Sequence, residues 1–362
     1  MMVKHSDADV IAAVLHLLNT RTPFALLSLP SSDSITLYAN ISDCCNAKFN
    51  ESRFYAKPFG EKLSVDTDYY LSGIDEPGTL IKENSDICYV GKPSLYGGID
   101  SVPLSKEQYV ESVSRIIGDL KTWGGKTVYS RVKYVPASFS GDATLASLIV
   151  DIIHSDCDAF GYCYYDRNYG LWVGLSPEKL LEADLAESTF STVALAGTRS
   201  SESDESHWDS KNVNEQKFVV NYIADCLEGC GADFNIGPAV SLKAGNVTHI
   251  CNSITGNLCG HSPQEILNAI NPTPAICGCP TNRALEMICR YEPSPRSLYG
   301  GALCYTDDSK FVAYLNLRCM RITDDGFFIY AGGGITAESD ALNEWEETEL
   351  KMQTMQRFTA LV

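Results

Sequence analysis

Positive charge is scarce. The chain of 362 residues carries 28 Lys and Arg against 46 Asp and Glu, a formal net charge of −18. Nucleic-acid affinity comes mainly from Lys and Arg displacing counterions, so this balance excludes a nucleic-acid partner and opposes an anionic membrane surface. Long apolar runs are missing too. Val10 to Leu18, the longest near the N-terminus, is interrupted by His16 and too short to span a bilayer. Met1 to Asp9 lacks the charged, apolar and small-residue succession of a secretory leader. The six His are scattered, and no Cys-x2-Cys, His-Glu-x-x-His or Gly-Lys-Ser/Thr phosphate loop occurs. Gly174-Leu-Ser-Pro-Glu178 lacks the closing Gly of a nucleophile elbow, and Ala331-Gly-Gly-Gly-Ile335 lacks dinucleotide-binding spacing.

Apolar residues make up 44% and charged residues 20%, a globular balance with ample core. The 14 Cys without a leader or zinc spacing read as reduced, mostly buried thiols in a cytoplasmic protein. Ala8–Asn19 reads as an amphipathic helix, and Pro23–Leu29 and Ser34–Asn40 as strands. Residues 50–100 give weak signals for short strands and loops. Ser105-Lys-Glu-Gln108 resembles a capping box opening a helix to Trp123, which Gly124-Gly125 ends. Strands are expected at Lys126–Val135, Phe160–Tyr165, Gly170–Gly174, Thr189–Ala196, Val247–Leu258, Leu303–Tyr305, Lys310–Met320 and Gly326–Gly332. Helices are expected at Ala146–Ser155, Asn214–Gly229 and Leu342–Phe358. Strands in runs indicate an α+β fold. No linker divides the chain, and we expect residues 1–104 to form an N-terminal lobe packed on the same domain as a catalytic region, 105–362.

The chemical signal is charge where periodicity asks for core. On the helix from Asn214, Val219, Tyr222, Ile223 and Cys226 define a buried face, and one turn back lies Glu215. On the closing helix, Glu344, Glu347, Lys351, Met355 and Phe358 form one stripe. Separated carboxylates on such faces suit Mg2+, which takes one or two of them and completes its octahedron with substrate oxygens and water. Lys126 begins a strand face continued by Val128, Ser130 and Val132, where partial burial would make it a base near neutrality. Arg318 faces with Tyr314 and Asn316, which suits a clamp on a carboxylate. Gly332-Gly-Gly334, after the strand Phe327–Ala331, lets backbone amides approach a ligand. Each has an ordinary reading as well. Glu215 can be a first-turn carboxylate favoured by the helix dipole, Glu347–Lys351 an exposed i,i+4 pair beside a core face of Leu342, Trp345 and Leu350, Lys126 a surface lysine, and the glycines a tight turn.

The order of these residues resembles the chorismate-utilising enzymes, which include isochorismate, salicylate, anthranilate and aminodeoxychorismate synthases. The resemblance runs from about Ser105 to Phe358. It rests on Lys126-Thr-Val-Tyr-Ser-Arg131, Gly174-Leu-Ser-Pro-Glu-Lys-Leu-Leu181, Ala194-Leu-Ala-Gly-Thr-Arg199, Pro272-Thr-Pro-Ala275, Glu292-x3-Arg296-x2-Tyr299-Gly-Gly301, Ala331-Gly-Gly-Gly-Ile335 and Glu344-Trp-x-Glu-Thr-x2-Lys351. It implies the family's α+β fold, with large mixed or antiparallel sheets enclosing the site and helices outside. It implies that Glu215 and Glu347 hold Mg2+, with Glu344 behind them, and that the metal receives the ring carboxylate of chorismate. Arg318, Lys351, Tyr299 and the Gly332, Gly333 and Gly334 backbone would take the enolpyruvyl carboxylate. Ala196, Gly197, Thr198 and Thr273 would line the substrate.

Amine-forming members carry Gln at the position of Lys126, and some aminodeoxychorismate synthases carry a nucleophilic Lys at that of Ala196. The resemblance therefore implies attack by water, with Lys126 as base at ring carbon 2 and Glu178 as acid for the hydroxyl leaving carbon 4. The product would be isochorismate, for menaquinone or siderophore synthesis, with menaquinone preferred. A salicylate synthase, which also eliminates pyruvate, and a binding paralogue without turnover are the rivals. No glutaminase subunit is expected, and the protein is expected to be a monomer. Three positions depart from the family pattern: Asn212 stands for an acidic residue behind the metal ligands, and Gln216 and Asn271 stand for histidines.

Overall fold

The computed structural model describes residues 7–32, 34–40, 49–62, 71–74, 101–200, 208–244 and 247–361. The first elements are α1 (Asp7–Thr20), β1 (Phe24–Ser28), β2 (Ile35–Ala39), β3 (Phe49–Lys57), β4 (Leu71–Ile74), α2 (Lys106–Trp123), β5 (Lys126–Pro136) and α3 (Asp142–His154). Then come β6 (Phe160–Asp166), β7 (Gly170–Ser176), β8 (Lys179–Asp184), β9 (Thr189–Ser200), α4 (Ser210–Gly229), β10 (Asp233–Ile236), β11 (Val240–Ala244) and β12 (Val247–Asn257). The remainder is α5 (Pro263–Ile270), β13 (Gly278–Cys279), α6 (Thr281–Tyr291), β14 (Ala302–Thr306), β15 (Lys310–Leu315), β16 (Cys319–Thr323), β17 (Gly326–Thr336) and α7 (Ala341–Gln356), with a final 3-10 turn at Thr359–Leu361.

The strands form one antiparallel ladder. From β12, which carries β10 and β11 on one edge, the pairing runs β9, β8, β15, β14, β3, β4, β2, β1, β6, β7, β16, β17, β5, β13. Strands from the first sixty residues thus lie inside the ladder. The ladder folds back on itself: Phe160 of β6 stacks on Tyr314 of β15 with centroids 4.1 Å apart, although those strands are distant along the pairing order. Period-two alternation explains the layers. On β6, Phe160, Tyr162 and Tyr164 enter the core shared with β8, β9, β14 and β15. Cys163 and Tyr165 enter a second core under α1 and α3. A third core joins α2 to β5, β17 and α7 through Tyr109, Val113, Ile116, Tyr129 and Ile335.

The strongly periodic helices form where expected. Ser105 and Gln108 make a reciprocal capping box at α2, and Gly124 ends it at φ +76°. Helix α3 starts at Asp142, before its apolar face begins at Leu145. Strands β8, β10, β11 and β13 and helices α5 and α6 were not anticipated. α5 nevertheless carries its own signal, a Ser262–Glu265 capping box with Pro263 in the first turn. The expected strand Lys310–Met320 is two strands, β15 and β16. Between them Asn316 is fully buried. Its Nδ2 donates to the Leu298 carbonyl at 2.9 Å, and its Oδ1 accepts from the Tyr162 hydroxyl at 2.6 Å. Arg318 therefore lies in a turn, at φ +46°, and not in a strand beside Tyr314. The expected boundary at Ala331 is also corrected: Gly332, Gly333 and Gly334 continue β17 and pair with Ser130, Tyr129 and Val128. Along α7, Thr348, Met352 and Met355 are buried while Leu342 and Leu350 are exposed, which removes the alternative core face through Leu342 and Leu350.

No described helix is long and apolar enough to cross a membrane. The cysteines among the described residues are all free. The leader reading at Met1 to Asp9 and the weakly patterned region 50–100 both fall partly outside the described residues.

Candidate active site

The site is built around the end of β17. β16 stops pairing at Ile329, while β5 continues to Thr336, so the last turns of β17 keep one edge away from the ladder. Three successive glycines stand there, and each leaves space for a different side chain. A Cβ on Gly332 would lie 3.1 Å from the Tyr299 hydroxyl. On Gly333 it would lie 3.1 Å from Glu344 Oε2 and 3.6 Å from Glu347 Oε1. On Gly334 it would lie 2.3 Å from Cε and 3.0 Å from Nζ of Lys126. Adjacent strand residues face opposite ways, so the tyrosine and lysine share one face and the carboxylates approach from the other.

Lys126, the first residue of β5, is half-buried and held in register by Cys279 and Thr336 on its two sides. Glu178 lies just before β8, where its carbonyl accepts from the Leu315 amide at 2.9 Å. Burial pushes the Glu178 carboxyl from 4.5 up to about 7, and the nearby Lys126 charge partly opposes that rise. A carboxyl held toward its protonated form near neutrality thus stands within electrostatic reach of a lysine, an arrangement able to carry proton transfer.

α7 supplies the charged wall. Asp340 caps it by accepting from the Leu342 and Asn343 amides. Lys351 Nζ donates to the Gly332 carbonyl at 2.8 Å and to Glu347 Oε1 at 2.6 Å. Arg318 Nη1 donates to Thr354 Oγ1 at 3.0 Å, also on α7. Burial lowers the Arg318 pKa, with the Tyr299 and Glu347 groups nearby opposing it. Tyr299 is buried, which raises its hydroxyl. The buried pair Arg296–Glu292, at 2.6 Å, ties its loop to β5: Arg296 donates to the Val128 carbonyl and Glu292 accepts from the Ser130 amide, each at 2.8 Å.

Glu344 bears on whether a cation fits. Burial raises its pKa and the Glu347 carboxylate raises it further, against a hydrogen bond from Ser339 and the charges of Lys351 and Lys126. Its buried Oε2 has no hydrogen-bond partner. An orphaned carboxylate oxygen converging on a second carboxylate is a donor set that suits a hard divalent ion such as Mg2+. Among the described residues no three candidate ligands cluster. Glu215 lies on α4, with its side chain outside the described residues.

The structure therefore brings together Lys126, Glu178, Tyr299, Arg318, Gly332, Gly333, Gly334, Glu344, Glu347 and Lys351. Ala196 and Gly197 lie on β9 at a bulge opposite His249 and Ile250, with Gly197 at φ +67° and packed against Asn212. The Thr198 side chain is outside the described residues. Thr273 is buried after α5 with its Oγ1 unpartnered, as is the buried Oδ1 of Asn271. Gln216 donates through Nε2 to the Ala194 carbonyl at 2.7 Å and to Asn252 at 2.9 Å. A separate concavity of about 580 Å³, lined by Glu182, Phe190, Asn235 and Lys310 among others, shares no residue with this cluster. Asn316 and Arg131 received no role from the sequence. Both hold site elements from behind, and strand periodicity does not report such neighbours.

An antiparallel α+β fold with a raised carboxyl beside a lysine, paired carboxylates and two further cations in one cluster has the make-up of an enzyme site. Residues 99–360 match the model of the chorismate binding enzymes, and the chain belongs to that family. It is 32% identical over 203 residues to isochorismate synthase MenF of Haemophilus influenzae, covering 52% of this chain and 47% of that protein. It is 30% identical over 189 residues to the Escherichia coli protein of the same name, covering 50% and 43%. The chain thus spans less than half the length of either relative. The solved structure of Escherichia coli MenF, described as a menaquinone-specific isochorismate synthase, superposes with a TM-score of 0.72 at 18% identity, over 96% of this chain and 91% of that one. Anthranilate synthase component I of Streptococcus pneumoniae gives 0.63 at 17% identity, over 92% of each. These likenesses establish the fold.

Proposed function

We propose that the protein is a Mg2+-dependent isochorismate synthase. The observation that carries this reading is the pairing of Lys126, in the position of a base, with a Glu178 carboxyl that keeps its proton near neutrality. Lys126 Nζ takes a proton from water as the water oxygen bonds to ring carbon 2 of chorismate. The ring double bonds shift, the carbon 4–oxygen bond breaks, and Glu178 gives its proton to the departing hydroxyl. One water enters and one leaves, so the reaction is an isomerisation. Arg318, Lys351 and the Tyr299 hydroxyl receive the enolpyruvyl carboxylate. Glu344 and Glu347, with Glu215 on α4, would hold Mg2+, which would neutralise the ring carboxylate. Thr273, Ala196, Gly197 and Thr198 complete the substrate wall.

This reading answers the charge of the chain. A dianionic substrate meets two local cations and a metal recruited by carboxylates, while the remaining acidity is solvated surface. The names of the relatives support isochorismate as product, and the description of the Escherichia coli MenF structure favours menaquinone synthesis as its destination. The proposed enzyme acts as a cytoplasmic monomer that needs no glutaminase. Incubation of the purified chain with chorismate and Mg2+, with products separated chromatographically, tests it. Isochorismate alone, abolished by EDTA, is expected. Salicylate with pyruvate would replace the reading by a salicylate synthase, and chorismate binding without turnover would refute catalysis. Full activity in EDTA would remove the metal.

A further inference from the structure

We propose that Arg131 is a positioning residue for the acidic pair on α7, fixing the rotation of that helix so that Glu344 and Glu347 present their oxygens together to a divalent cation. The inference rests on the metal reading given above. Arg131 lies on β5, on the face opposite Lys126, with its side chain 1% exposed. Its guanidinium carbon stands 3.6 Å from the Trp345 ring centroid. Its Nε donates to Thr348 Oγ1 at 2.7 Å, and its Nη2 forms an ion pair with Glu349. Lys133 Nζ reaches the other Glu349 oxygen at 2.8 Å. Tyr109 of α2 braces the same Trp345 edge-on, with centroids 5.4 Å apart.

The three gripped residues follow i, i+3, i+4 and so form one face of α7. Glu344, Glu347 and Lys351 form the adjacent face by the same periodicity. Apolar packing holds this half of the helix through Ala341 and Trp345 against the core of α2, β5 and β17, while Leu342 and Leu350 are 50% and 64% exposed and the buried methionines come only at Met352 and Met355. Arg131 lies against that same Trp345, so its polar grip on Thr348 and Glu349 sets the helix rotation around it. At a side-chain radius of about 5–6 Å, a rotation of about 20° would move the carboxylates by about 2 Å. Mg2+ tolerates only a few tenths of an ångström about its ligand distances.

The test uses the full chain and Mn2+ as probe, with free Mn2+ read by electron paramagnetic resonance, with and without chorismate. In Arg131→Met, the Mn2+ dissociation constant should rise about 10- to 100-fold, the usual cost of removing a residue that orients metal ligands. Isochorismate formation should be restored toward the wild-type kcat by excess Mg2+. Arg131→Lys keeps a cation over Trp345 but loses the fork, and should fall between. Circular dichroism checks folding, and if Arg131→Met does not fold, Thr348→Val removes the Nε acceptor alone and should weaken Mn2+ binding about threefold. Unchanged Mn2+ affinity in the folded variants would overturn the proposal, as would a wild-type chain that takes up no Mn2+. Weakened Mn2+ binding in a chain that makes no isochorismate would uphold the positioning role and refute the proposed reaction separately.

Discussion

Glu178→Gln should make the protein more stable at alkaline pH while stopping its reaction. The carboxyl has an ordinary value of 4.5 and is held at about 7 by burial. The folded state therefore binds this proton more tightly than the unfolded state does. The stability it contributes is complete below about 4.5 and is lost as pH rises through about 7. The two values differ by about 2.5 decades, at about 1.4 kcal/mol per decade, so the wild type forfeits about 3 kcal/mol from this group between about pH 4 and pH 8. The variant has no charge to bury and forfeits nothing. The two proteins should show nearly equal stability at pH 4.5, and the variant should lead by about 2–3 kcal/mol at pH 8, roughly a 0.5–1 M shift in urea midpoint. Urea unfolding at both pH values, followed by tryptophan fluorescence, measures the difference. A gap independent of pH, or a variant weaker than wild type at pH 8, would refute the claim that Glu178 is a half-buried carboxyl whose proton is held toward neutrality. Chorismate conversion should be lost at every pH, since the amide has no proton to give. Greater stability together with lost activity would mark a group kept for chemistry against the interest of the fold.

Lys126→Ala should abolish conversion while leaving chorismate bound, since the proposed carboxylate contacts are Arg318, Lys351 and Tyr299; equilibrium binding against turnover checks it. If Glu178 is the acid, its titration should lower the slope of log kcat/KM against pH by one unit near pH 7. A profile with no break between about pH 6 and 8 would contradict the acid role. Gly334→Ala should cut kcat at least 100-fold yet cost less than about 1.5 kcal/mol of stability, because the added Cβ meets the flexible Lys126 side chain and not backbone. Thermal unfolding beside steady-state kinetics separates the two effects, and a large stability loss would show that the strand itself had been broken.

The sequence was legible where one physical signal dominated. α1, α2 and α4 each bury a single periodic face, and the capping residues of α2 fixed its start. β10 and β11 were not legible because they are edge strands with little buried surface, so no alternation marks them. The break between β15 and β16 was hidden because Asn316 turns inward to bond Leu298 and Tyr162, neither of which is near it in sequence. Charged side chains on apolar faces led to Lys126, Glu344 and Glu347, because burying charge is costly and needs a reason. The same logic extends to the glycines. Glycine within a strand costs about 0.5–1 kcal/mol relative to alanine, so three in succession between Tyr330 and Ile335 demand an explanation. A turn would have been sufficient, and that ordinary reading fails because β5 pairs through all three positions. What remains is space on both faces of one strand: for Tyr299 and Lys126 on one, and for Glu344 and Glu347 on the other. An interior glycine run on a paired strand is thus itself a site signal, since only approaching side chains make use of the missing Cβ atoms.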